Sequence, residues 1–134
     1  MTAPTLTLIR NGSFSLLGLI LLAYAAAVLA TGRPDPVSPI LPGAAGILTG
    51  IIVTLTARMA TGKAAGIAWD ELTRATWRHA LTGGYWVAVW LYALFGLGLY
   101  LDLVTPAQSF AAMGTLTGAA PFLIFLANWV RGRV

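Results

Sequence analysis

Cysteine is absent from this sequence of 134 residues, which excludes disulfides, thiolate metal sites, iron–sulfur clusters and thiol nucleophiles. Histidine occurs once, as His79, and one imidazole does not make the multi-ligand site that zinc requires. Glutamate also occurs once, as Glu71. Charge of either sign is scarce. Eight basic and four acidic side chains make up 9% of the residues, against roughly 25% in a soluble domain. So few charges cannot wet a globule of 14.0 kDa. A soluble enzyme and a secreted disulfide scaffold are thereby excluded. The glycines lie mostly in apolar runs and do not follow strands, so no phosphate loop is readable. No Ser/His/Asp set stands out, and the sequence offers no cofactor or metal site.

Apolar sequence is what the chain has in abundance. Hydrophobic residues are 58% of the total and the mean hydropathy is +0.83. Uncharged stretches cover 11–32, 36–57, 80–101 and 103–130, and each exceeds the roughly 20 residues that span hydrocarbon. The expected fold is an all-α membrane protein of four transmembrane helices. The first hairpin occupies 1–62, with spans at about 12–31 and 39–58. A cytoplasmic connector and the second hairpin occupy 63–134, with spans at about 82–101 and 106–130. The run 14–30 behind Arg10 is long for a secretory signal and has a counterpart later in the chain, so it is read as a span.

The net charge of +4 follows from topology rather than from nucleic acid. Arg10, Arg58, Lys63, Arg74, Arg78, Arg131 and Arg133 fall on one side of the four spans, and Arg33 alone falls on the other. The positive-inside rule then places both termini in the cytoplasm, where the cations meet anionic lipid headgroups.

The two hairpins share a pattern. Asp35-Pro36-Val37-Ser38-Pro39 and Asp102-Leu103-Val104-Thr105-Pro106 both fit D-x-V-[ST]-P, and Gly46–Gly50 and Gly114–Gly118 both fit G-x-L-T-G. Two tandem copies with a parallel pseudo-two-fold along the membrane normal account for this; convergent turn chemistry at two short loops is the alternative. Ser38 and Thr105 suit helix N-caps, and Pro39 and Pro106 suit the first helical position. Asp35 and Asp102 read as loop and cap residues, or as a cation-binding ring in an oligomer.

Gly46, Gly50, Gly114 and Gly118 form G-x-x-x-G faces that let helices approach closely in lipid, either within the chain or across a dimer. Spans 2 and 4 are therefore expected to be central. Pro42 and Pro121 are expected to bend them. Trp90 and Tyr92 lie deep in span 3 and read as packing residues. Apart from Arg58 at the very end of span 2, no charge falls inside any of the four expected spans.

The connector 61–79 reads as an amphipathic helix, with Ala65, Ala68, Trp69, Leu72, Thr76 and Ala80 on its apolar side. Trp69, Asp70, Glu71, Arg74 and Arg78 are its candidate partner or lipid contacts, with ion pairs of Arg74 to Asp70 and Glu71. His79 is a candidate pigment or haem ligand, although a solvated interfacial histidine is the plainer reading. The run Asp70-Glu71-Leu72-Thr73-Arg74 resembles the D-E-x-x-R element that opens the second half of a group of small uncharacterised bacterial four-span membrane proteins. The resemblance covers five residues and the layout. It implies the bacterial inner membrane and brings no activity.

The expected function is a non-enzymatic accessory or structural subunit that assembles through its Gly/Ala faces with a second copy or with other membrane subunits. The alternatives are an oligomeric transporter or channel lined by Thr49, Thr54, Thr115 and Thr117, and a membrane sensor that docks a soluble regulator on the connector.

Overall fold

Four helices account for most of the chain in the computed structural model, which describes residues 2–59, 66 and 70–132. They are α1 (Ala3–Thr31), α2 (Leu41–Met59), α3 (Glu71–Tyr100) and α4 (Pro106–Val130). Three of them, α1, α3 and α4, are long and apolar enough to cross a membrane. The apolar stretch of α2, Leu41–Thr56, rises about 24 Å, shorter than a hydrocarbon core of about 30 Å.

The ends of the second hairpin are built from local chemistry. Asp102 takes the left-handed conformation (φ 54°) after α3, and the Leu103 N–H donates to the Gly98 carbonyl at 2.9 Å. The Asp102 N–H donates to the Leu99 carbonyl at 3.2 Å, which completes a Schellman ending. Thr105 then caps α4 in a full capping box with Gln108, and Pro106 follows at the first turn. The expected cap at Thr105 is present. The equivalent in the first hairpin is not: α2 begins at Leu41 rather than at Pro39, and the Ser38 hydroxyl receives only a long 3.4 Å contact from the Ile40 N–H. The same five-residue pattern thus makes two different turns.

Helix α4 is central, packed between α1 and α3, while α2 leans on α1. Of the two spans expected at the centre, only α4 is there. The core lies in three layers. At the tail end, Phe14, Ala80 and Phe125 gather Val53, Trp77, Phe122 and Ile124. In the middle, Leu17, Leu21 and Ala119 meet Ala45. At the turn end, Tyr24, Val28 and Ala112 meet Phe95. Phe14 stacks on Trp77 with centroids 5.0 Å apart, and both rings pack on Phe122 and Phe125 at 5.4–5.7 Å. Such aromatic pairs add about 0.5–1.5 kcal/mol each beyond area burial, so this cluster fastens α1, α3 and α4 together.

The glycines that permit this packing are not the ones the G-x-x-x-G pattern selects. A Cβ on Gly84 would lie 3.0 Å from Pro121 Cδ, and one on Gly83 would lie 2.8 Å from Ile124 Cδ1. One on Gly18 would lie 3.1 Å from Phe122 Cβ. Pro121 removes an amide donor from α4, and its ring fills the hollow left by Gly84. Gly46, Gly50 and Gly114 have open space where a Cβ would stand, and Gly118 reaches only ordinary contact, 3.5 Å, with Leu21 Cδ1. Close approach occurs where α4 crosses α1 and α3. Helix α2, which carries two of the expected glycines, is not part of that crossing.

Candidate functional site

Polar and open features of interest lie at the turn end, at the tail end and on α2. At the turn end, α1 stops at Gly32, whose left-handed φ of 67° suits glycine. A proline-rich loop then carries the chain to α2. Because α2 leans on α1, an open cleft of about 530 Å³ remains between the loop, α1, α2 and α4. Tyr24 lies on its α1 side, Pro34, Asp35, Pro39 and Pro42 on its loop and α2 side, and Phe110, Ala111, Gly114 and Thr115 on its α4 side. Asp35 is the only charged side chain among them. The Thr115 hydroxyl donates to the carbonyls of Ala111 and Ala112 at 2.8 and 3.1 Å, so it serves its own helix. The Tyr24 hydroxyl reaches the Pro34 carbonyl at 3.5 Å. Gln108 binds across this end: its side-chain oxygen accepts from the Thr105 N–H at 2.8 Å and its amide donates to the Gly32 carbonyl. It thereby ties the end of α1 to the start of α4.

At the tail end, Arg10 lies two turns into α1 and is 3% exposed, with Asn11 beside it at 1%. Expected as a solvated flank, Arg10 instead is buried among helices. Its Nε donates to Asn11 Oδ1 at 2.8 Å, its guanidinium lies 5.7 Å from the Phe125 ring centre, and Asp70 acts on it electrostatically. Asn11 Nδ2 is buried with no hydrogen-bond partner among the described residues. The Asp70 carboxylate accepts from the Thr73 N–H at 2.8 Å and caps α3. The Thr73 backbone and side-chain bonds hold its pKa below the ordinary aspartate value against a small desolvation penalty, and the Arg10 charge favours the same ionised form.

Of the expected partner contacts, Asp70, Glu71, Arg74 and Arg78 are brought together along one polar cleft of about 470 Å³ with Gly66 and Ala75. Trp69 lies outside the described residues. His79 is exposed on α3 and does not line that cleft. No group of three or more His, Cys, Asp or Glu that could hold a metal occurs among the described residues. The apolar side expected for the connector is also rotated. Leu72 is exposed, while Thr73, Trp77 and Ala80 face the bundle. Trp77, which breaks the amphipathic pattern of an isolated connector helix, instead belongs to the seam of a helix continuous with span 3.

The third feature is on α2, which has no fully buried residue among those described. Gly50 leaves a notch of about 340 Å³ there, bordered by Ile47, Ile51, Thr54, Leu55 and Arg58. Trp90 and Tyr92, expected to pack, are 69% and 74% exposed on the outer face of α3.

Sequence reasoning missed Arg10 as a buried group, Gln108 as a cross-brace, and Gly18, Gly83 and Gly84 as contact points. Only Gln108 left a signal, in the capping-box spacing Thr105-Pro106-Ala107-Gln108. Comparison of the chain with protein families, with curated proteins and with solved structures finds no match.

Proposed function

We propose that this chain is a non-enzymatic multi-pass subunit of the bacterial inner membrane, and that its α2 docks a neighbouring transmembrane helix from a second copy or another subunit. The four helices form two tandem hairpins with both termini in the cytoplasm. The observation that carries the reading is the notch at Gly50: a hollow bordered by Ile47, Ile51 and Thr54 on a helix that buries little of itself. Lipid tails are as apolar as these side chains, so association within the bilayer depends on dispersion and close backbone approach. A hole of this kind provides both. The exposed apolar face of α3, with Trp86, Trp90 and Leu94, gives a second broad surface toward lipid or subunits. A docking site for a soluble regulator is the second reading, supported by the convergence of Asp70, Glu71, Arg74 and Arg78 on one cleft.

The cysteine-free sequence makes the test direct. Single cysteines placed along α2 in native membranes should cross-link to a neighbour at Ile47, Gly50 and Thr54 and not at Ala45 or Val53, which pack against the core. Cross-linking of equal yield all around α2 removes the docking reading. Impermeant thiol reagents should reach Arg33→Cys from outside the cell and Arg131→Cys only after lysis; the reverse pattern overturns the topology.

A further inference from the structure

The turn-end cleft has the dimensions and lining of a binding site. Its volume of about 530 Å³ falls in the ordinary range for small-ligand pockets, roughly 300–1,000 Å³. Along α4 it extends from Ala107 to Thr115, a rise of about 12 Å, which accommodates a length of aliphatic chain. Pro34, Pro39 and Pro42 fix the backbone on one side, so little order has to be gained on binding. Gly114 opens the opposite wall, since nothing stands within 4 Å of where its Cβ would be.

Charge selects the head of that ligand. Asp35 is the only charged group lining the cleft, and Arg33, the only cation in the sequence of that loop, precedes it by two residues without lining the cleft itself. A headgroup carrying both an ammonium and a phosphate matches such a pair; a purely anionic headgroup meets the Asp35 carboxylate unfavourably.

We infer that the cleft between α1, α2 and α4 seats an ethanolamine phospholipid, one acyl chain along Phe110, Ala111 and Gly114 and the ammonium group at Asp35. The inference rests on the membrane placement proposed above and not on the α2 contact. It goes beyond a general solvation by lipid because it names a headgroup and the residue that chooses it.

Native mass spectrometry of the full chain in detergent tests this with three probes of identical dioleoyl chains: phosphatidylethanolamine, phosphatidylcholine and phosphatidylglycerol. Retention of the ethanolamine lipid should exceed that of phosphatidylglycerol by about three- to fivefold, the scale of one exposed ion pair. Phosphatidylcholine, whose head cannot donate a hydrogen bond, should be retained less than the ethanolamine lipid. Asp35→Asn should equalise the three while leaving each bound, and Gly114→Leu should lower all three by filling the cleft. Should Gly114→Leu also lower the melting temperature, Phe110→Ala on the exposed rim gives the same reading without touching the core. Equal retention by the unaltered chain, or a preference that survives Asp35→Asn, overturns the assignment. Gly50→Leu separates it from the assembly reading: the preference should persist in that variant, and its disappearance would place the lipid at the α2 contact instead.

Discussion

The two hairpins begin from similar sequence and end in different physical states. In the second, α3 and α4 are joined by a Schellman ending and a capping box, and Pro121 seats against Gly84 along the crossing. In the first, α1 is drawn into the core by α4, and α2 is left leaning on α1 with its glycines uncovered. The main partner of α1 is therefore not its own hairpin mate. A shared loop motif sets where the chain turns, but the fit between helix faces decides which helices close on each other. The incompletely closed hairpin is the one that carries the cleft and the notch.

The largest effect is expected at the aromatic cluster shared by α1, α3 and α4. Phe125→Ala should cost about 3 kcal/mol, the low end for a buried phenylalanine because helices leaving one another in lipid lose packing more than transfer energy. Thermal unfolding in detergent should show the loss, and a change under 1 kcal/mol would mean that the cluster does not fasten the three helices. Next comes the contrast between glycines. Gly84→Ala pushes a methyl into the Pro121 ring and should destabilise by about 1–3 kcal/mol, whereas Gly50→Ala, in open space, should be neutral or slightly favourable through helix propensity. Equal effects at both positions would erase the distinction between the hairpins.

The caps sharpen it further. Thr105→Ala should cost about 1 kcal/mol and Ser38→Ala only a few tenths, since Ser38 does not cap the first residue of α2. Amide exchange at the start of each helix measures both. The smallest effect is one of pH. The folded-state pKa of Asp70 is depressed, so its cap contributes fully above the unfolded value of about 3.9 and is lost as pH falls through the lower folded value. The fluorescence of Trp77, in a variant with the other four tryptophans replaced by phenylalanine, should shift in that acid window. Asp70→Asn should abolish the shift; a shift that remains would assign it to another group.

Much of this was legible from composition and period. Four uncharged runs anticipated four helices, and Thr105-Pro106 anticipated the start of α4 to the residue. Ser38-Pro39 anticipated the start of α2 two residues too early, because the proline-rich loop there makes a further turn before Leu41. The glycine pattern misled because spacing reports that a flat face exists without reporting what lies opposite. Charge counts mark span limits and so put Arg10 on the flank, yet α1 continues past that limit to Ala3. The burial of Arg10 comes from helices that pack around α1, among them α4 with Phe125, which is distant in sequence, and no local pattern contains them. Trp77 was obscured for a related reason. Read as part of a separate connector it sits on the charged side, but as part of α3 it lies on the line Thr73–Trp77–Ala80–Gly84 that faces the bundle.

By itself the sequence determined the four long helices of the described residues, the places where the chain turns and the apolar character of those helices, because these depend on local hydropathy and on which residues satisfy helix ends. Tertiary structure alone decided that α4 is central, that α2 stands aside, that Gly84 rather than Gly50 is a contact point, and that Arg10 is enclosed. Those outcomes depend on the match of surfaces between distant segments. In a chain so uniformly apolar, hydrophobicity does not distinguish one face from another, and shape must.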